Sequence, residues 1–203
     1  MPGNIRAADL RDRVGCKQRC LRHQIVWGFC HKSLFQKANR MVGQTFLSAF
    51  FLMRDDAALR VSHRRLPHWR LKGSTYFVTF RLAEGRLNAE EIALVRDHII
   101  SGDGQYYKLV AFVVMPNHVH LMFAPSAGFS LSRILKGIKG VTARQINGKR
   151  GVRGRLWQDE SFDRIVRDQT ELQEKLEYML ENPVKAGLTV DSWQYPGWYV
   201  KRQ

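Results

Sequence analysis

Cysteine is scarce in this chain. Its 203 residues include three, Cys16, Cys20 and Cys30, all near one end. An odd count in one short stretch excludes a disulfide framework. The spacing, with His23 and His31 nearby, matches no common zinc module. Free thiols suit a reducing compartment, so the expected location is cytoplasmic. Long apolar runs are missing too. The most apolar stretch, Phe46 to Leu52 within Met41 to Met53, is far shorter than the roughly 20 residues that span a bilayer. No apolar stretch follows the first charges, so neither a signal peptide nor a membrane partner is expected. Acidic residues are few: 18 Asp and Glu against 33 Lys and Arg, a net charge of +15 and a pI near 10.2. That excess exceeds what solubility needs and points to a polyanion. Nucleic acid is favoured over membrane, since no segment reads as a basic amphipathic anchor.

What is present is a core. A hydrophobic fraction of 44% suits one folded domain with extensions. The charge is uneven: residues 1–72 hold 15 Lys and Arg against 4 Asp and Glu, the rest of the chain 18 against 14. Ser130 to Arg155 is a second basic concentration with no acid: Arg133, Lys136, Lys139, Arg144, Lys149, Arg150, Arg153 and Arg155. These eight are the candidate DNA-binding residues, through phosphate contacts that fix register.

Periodicity predicts the elements. Ser74 to Leu82 alternates and is rich in aromatic and β-branched residues, which predicts a strand. Asn88 before Glu90 and Glu91 predicts a helix start, and Ile92, Val95, Ile99 and Gly102 mark its face and end. Tyr106 to Met115 reads as a central strand and His118 to Ala124 as its partner, with Pro116-Asn117 as the turn. Leu131, Ile134, Leu135, Ile138 and Val141 form one stripe of a helix from Ser130 to about Asn147, with a flexible basic loop after it. Phe162 to Val166 predicts a fourth strand. Thr170 is expected to cap a last helix that Pro183 ends near Asn182. The fold class is therefore α+β: a ferredoxin-like β-α-β-β-α-β antiparallel sheet, helices on one face, and an added C-terminal tyrosine-bearing helix.

Two features carry chemistry. His118 and His120 stand at i and i+2 of a strand and project from one face. Two neighbouring neutral imidazoles can share a divalent metal; the alternative is a pair of solvated surface histidines. On the last helix, Leu172, Leu176, Met179 and Leu180 form the apolar stripe, while Tyr178 and Asn182 share a different face. A tyrosine outside the stripe is a candidate nucleophile, though exposed tyrosines are ordinary. Trp157, Trp193, Trp198 and Tyr199 either stack single-stranded bases or pack the tail on the core.

Four stretches in order carry a resemblance: Leu66 to Arg70 with Thr75 to Leu82, Met115-Pro116-Asn117-His118-Val119-His120, Leu156 to Gln158 with Phe162 to Asp168, and Leu176 to Leu188. The chain resembles the REP-associated tyrosine transposases, single-tyrosine members of the HUH endonucleases, over about residues 64–190. The resemblance implies Tyr178 as nucleophile, His118, His120 and Asn182 as metal ligands, Mg²⁺ or Mn²⁺ as cofactor, and a covalent 5′-phosphotyrosine with a free 3′-hydroxyl. It implies cleavage and rejoining of single-stranded DNA at hairpin-forming repeats, with Arg64, Arg65 and Arg70 as further candidate hairpin contacts. The expected layout is a basic extension over 1–62, a catalytic domain over 63–190 and a tail over 191–203, acting as monomer or homodimer. The alternatives are a rolling-circle initiator or relaxase with the same metal pair, or a repeat-DNA-binding module without catalysis; a pure binder needs neither Tyr178 nor the histidines.

Overall fold

The computed structural model describes residues 60–63, 67–71 and 73–201. The cysteines, Met41 to Met53, Arg64, Arg65 and most of the basic extension lie outside these residues. The described part opens with an antiparallel two-stranded ribbon, β1 (Arg60–His63) and β2 (Pro67–Arg70). The stretch expected to lead into the first strand is thus a ribbon of its own.

The main sheet contains β3 (Tyr76–Arg81), β4 (Tyr107–Val114), β5 (His118–Pro125), β6 (Phe162–Ile165) and β7 (Trp198–Val200). All neighbours are antiparallel, in the order β6-β3-β5-β4-β7. The first four strands give the split βαβ order of a ferredoxin-like sheet. β7 is an addition that the sequence reading left in the tail. Three residues are too short for an alternation signal, and the strand forms only by pairing Trp198, Tyr199 and Val200 with Val113, Phe112 and Ala111.

Helices α1 (Ala89–Ser101) and α2 (Leu131–Arg150) cover one sheet face; α3 (Gln169–Lys185) lies on the other. The core under α1 and α2 takes Tyr76, Val78 and Phe80 from β3 and Val119, Leu121 and Phe123 from β5. A bulge between Leu109 and Ala111 lets Leu109 and Phe112, three residues apart, both face it. The two helices of the ferredoxin-like unit share one face as expected; α3, the added helix to which the sequence assigns no face, brings Tyr178 against Phe77 and His120 on the opposite one.

Helix ends follow their caps. Asn88 and Glu91 form a reciprocal capping box (2.9 and 2.8 Å), as expected for the start of α1. Gly102 closes α1 without a left-handed φ; a Cβ there would stand 2.5 Å from the Tyr107 hydroxyl oxygen, so closeness selects glycine. α2 runs on to Arg150 and ends at Gly151 (φ 66°), so the first residues of the expected loop are helical. Asp168, not Thr170, caps α3, and the helix passes through Pro183 to Lys185. In the last turn the missing proline donor leaves just the Met179 carbonyl without an i+4 partner, so the cost is small.

The two ends of the α1–α2 layer are tied by one carboxylate. Arg150 donates to Glu91 from Nε (2.6 Å) and from its terminal nitrogen (2.7 Å), which also reaches the Arg86 carbonyl (2.9 Å). The Arg150 bonds hold the buried Glu91 carboxyl below its ordinary pKa, against a burial that would raise it. A depressed carboxylate stabilises the fold above its unfolded pKa, and that contribution is lost as pH falls through the folded value. Glu91→Gln keeps the capping box and removes the charge. We expect it to lower stability by about 2 kcal/mol at pH 7 and by little at pH 3, in urea melts at the two pH values. An equal deficit at both would show that the ion pair contributes nothing.

Candidate active site

Register places the histidines. β5 pairs with β3 so that His120 stands opposite Thr79 and His118 opposite Arg81. Their inner nitrogens meet, Nε2 to Nε2, at 3.1 Å. Their outer nitrogens face oxygen: His118 Nδ1 lies 2.6 Å from Asn117 Oδ1, and His120 Nδ1 lies 2.7 Å from Thr79 Oγ1. If both outer nitrogens carry their protons, both Nε2 lone pairs converge on one point, the arrangement metal-bound imidazoles take. Burial, then the charge of Arg81, lowers the His118 pKa to about 4. Burial, then His118 and Arg81, lowers that of His120 to about 3. Both rings are neutral at pH 7 and free to act as ligands. Among the described residues no three His, Cys, Asp or Glu cluster, so a further ligand from these residues would be of another type.

Tyr178 lies beside this pair. It is 45% exposed, while Leu172, Leu176, Met179 and Leu180 are buried under α3, as the stripe predicts. Its ring sits 5.2 Å from His120, nearly perpendicular, and 6.3 Å from Phe77, which stacks on His120 at 5.4 Å. A pocket of about 440 Å³ opens there, lined among others by Thr79, Arg81, His120, Gln158, Lys175 and Tyr178. Asn182 follows one turn after Tyr178, and its Nδ2 is buried without a hydrogen-bond partner. Neither Asn182 nor His118 lines that pocket. The sequence reading missed Thr79, Phe77, Arg81 and Lys175. Thr79 and Arg81 were legible in principle, at the strand parity opposite the buried Val78 and Phe80.

The basic segment divides. Arg133, Lys136, Arg144, Lys149 and Arg153 are exposed. Arg150 is bound to Glu91, and Arg155 pairs with Asp159 at 3.1 Å. Lys139 donates to the Asp159 carbonyl (2.9 Å) and Ser161 Oγ (3.3 Å), which fastens α2 to the segment before β6. Between that segment and α2 runs a groove of about 870 Å³ that includes Arg133, Lys136, Lys139 and Arg155. Gln158, Glu160 and Ser161 line both this groove and the tyrosine pocket.

The aromatics pack. Trp157 is buried, meets Phe80 edge-on at 4.9 Å and donates to Thr142 Oγ1 at 2.9 Å. Tyr199 stacks on Phe112 at 5.1 Å, and Trp193 meets Trp198 edge-on at 6.0 Å. Trp157→Ala should cost about 3–5 kcal/mol of stability, and Trp157→Phe about 1 kcal/mol through the lost N–H bond. Thermal melts with DNA-binding isotherms check this. A phenylalanine variant with a native melting point and tenfold weaker DNA binding would mean that the indole contacts a base.

Residues 88–181, which hold both histidines and the tyrosine, match the family of IS200-like transposases. No curated protein sequence matches the chain. Among solved structures, a REP-associated tyrosine transposase bound to a REP hairpin superposes with a TM-score of 0.52 at 22% identity, over 68% of this chain and 81% of that one. A candidate transposase from Deinococcus radiodurans R1 reaches 0.38 at 21% identity, over 52% and 89%, too low to bear on the fold. Among the described residues no helix is long and apolar enough to cross a membrane. The match to IS200-like transposases thus spans residues 88–181, and the sheet with its opposed helices has the fold of the REP-associated tyrosine transposase structure.

Proposed function

We propose that the protein cleaves and rejoins single-stranded DNA at hairpin-forming repeats, through a covalent intermediate on Tyr178 and with a divalent metal. The observation that carries this is the convergence of Tyr178 on His120 at 5.2 Å, where His120 Nε2 already meets His118 Nε2 at 3.1 Å. The hairpin in the structurally similar transposase supports a hairpin substrate. The groove that shares a wall with the tyrosine pocket is lined by Arg133, Lys136, Lys139 and Arg155 beside Asp159, Glu160 and Asp163, and its α2 side offers cations to the strand's phosphates.

A tyrosine hydroxyl has a reference pKa of about 10 and attacks a phosphodiester only with help. His118 and His120 would hold Mg²⁺ or Mn²⁺, with Asn182 as a third donor. The paired Nε2 atoms fit such a group; Asn182 would offer its carbonyl oxygen, since its buried unpaired atom is the Nδ2 donor. When bound, the metal supplies Lewis-acid neutralisation of the phosphate charge. Thr79 Oγ1 and Asn117 Oδ1, by accepting from protonated Nδ1 atoms, would hold the rings in the ligating tautomer. Tyr178 Oη then bonds to phosphorus as the bond to the 3′-oxygen breaks. The phenolic proton goes to solvent, and the 3′-oxygen takes one up. Later attack by that hydroxyl reverses the exchange on the same or another strand, with no external energy source. Arg133, Lys136, Lys139, Arg144, Lys149, Arg150, Arg153 and Arg155 remain the DNA-contacting set of this reading; the exposure of Arg133, Lys136, Arg144, Lys149 and Arg153 supports it, while Arg150 and Arg155 are already engaged with carboxylates.

The test is a labelled single strand carrying the hairpin repeat that flanks the protein's gene, incubated with and without Mn²⁺ and run on a denaturing gel. Tyr178→Phe should abolish the covalent adduct and keep DNA affinity within a few-fold. His118→Ala or His120→Ala should abolish cleavage, and Asn182→Ala should reduce it less, because water can replace one neutral oxygen ligand. Thr79→Val should weaken Mn²⁺ binding about 10- to 100-fold in calorimetry. Cleavage should fall with added salt and be absent on fully paired duplex. An adduct on the phenylalanine variant would remove Tyr178 from its role, and full activity in EDTA would remove the metal.

A further inference from the structure

We propose that Lys175 contacts the scissile phosphate and neutralises the charge that builds on it, a role inferred from its position over the ring that joins His120 to Tyr178. The inference rests on the reading of Tyr178 as nucleophile.

The basic side chains on and just before α3 fall into two groups. Arg164 and Arg167 close on Glu171 at 2.6 and 3.1 Å, and Lys185 closes on Glu181 at 2.5 Å. Lys175 closes on no carboxylate among the described residues, although Glu171 stands one turn before it. Its Nζ instead lies 5.6 Å from the centroid of Phe77. Phe77 stacks on His120 and turns toward Tyr178. Lys175 and Tyr178 stand at i and i+3, so both side chains leave the same side of the helix. Lys175 is half-buried and lines the tyrosine pocket, as do Arg81 and the acid Glu160.

A partly desolvated ammonium whose one visible partner is a ring face is incompletely compensated. A phosphodiester entering the pocket to meet Tyr178 brings the missing negative charge. During attack, charge grows on the non-bridging oxygens, and a cation fixed beside the nucleophile stabilises that state more than the bound substrate. Lysine suits the task as a compact charge on a flexible stem. Its proton stays in place throughout. Arg81, at the exposed end of β3, is placed to hold a neighbouring phosphate of the same strand.

The experiment uses the full-length protein in excess over the labelled hairpin strand, with Mn²⁺, and follows the single-turnover rate of adduct formation. Lys175→Gln should slow that rate about 100-fold. DNA affinity should stay within threefold, with Mn²⁺ affinity and melting temperature unchanged. Lys175→Arg should recover the rate to within tenfold of wild type. A glutamine variant at the wild-type rate overturns the proposal while leaving the Tyr178 reading intact. So does an arginine variant as slow as the glutamine one, or a slow rate accompanied by loss of metal affinity or melting temperature, which marks a structural role. A wild-type protein that forms no adduct overturns both readings together.

Discussion

The register between β3 and β5 is the constraint on which the site depends. Val119, Leu121 and Phe123 are fully buried against α1 and α2. Side chains alternate, so that burial drives His118, His120 and Met122 to the other face. A slip of one residue would move the apolar set to the α3 face and put the histidines under α1 and α2, where their ring nitrogens meet apolar side chains. The same alternation in β3 sends Phe77, Thr79 and Arg81 to the histidine face. The core therefore fixes the site: the residues that form its chemistry are those the core cannot use.

Burying His120 and half-burying His118 on that face needs a reason for them to stay. A neutral imidazole has one donor and one acceptor, and each must be met. Thr79 and Asn117 meet the outer nitrogens. The inner two face each other at 3.1 Å, and with both outer nitrogens protonated no proton lies between their two lone pairs. A cation placed there would satisfy both at once. The aromatic contacts around them hold the rings in place: Phe77 lies against His120, and Tyr178 meets both edge-on. These contacts link the strand pair to α3 across the sheet face.

How much of this was legible in the sequence depended on whether the signal was local. Capping at Asn88, the α2 stripe at Leu131, Ile134, Leu135 and Ile138, and the paired face of His118 and His120 are short-range patterns, and the structure bears them out. Tyr178 outside the α3 stripe was legible for the same reason. Long-range choices were not. Nothing near Glu91 announces Arg150, some sixty positions on, so Arg150 read as a phosphate contact before it was seen in an ion pair. Trp157 read as a possible base stacker because its partners Phe80 and Thr142 come from other elements. The position of α3 depends on which sheet face remains uncovered after α1 and α2 have packed, which no window of sequence displays.

That uncovered face also explains why one helix can carry both stability and chemistry. α3 is amphipathic, but the surface it covers is only partly apolar: Met122 lies beside the histidine pair on the strand that α3 faces. Leu172, Leu176, Met179 and Leu180 take the apolar part. The adjacent arc, with Lys175 and Tyr178, is left over the polar part, where a pocket stays open because no large apolar side chain is available to fill it. Anchoring by the first set holds the second at the spacing of one helical turn. A nucleophile on a packed helix also loses less entropy on meeting its substrate than one on a loop would. The apolar stripe thus holds Tyr178 against His120, since the buried residues of α3 fix where its exposed arc stands on the sheet.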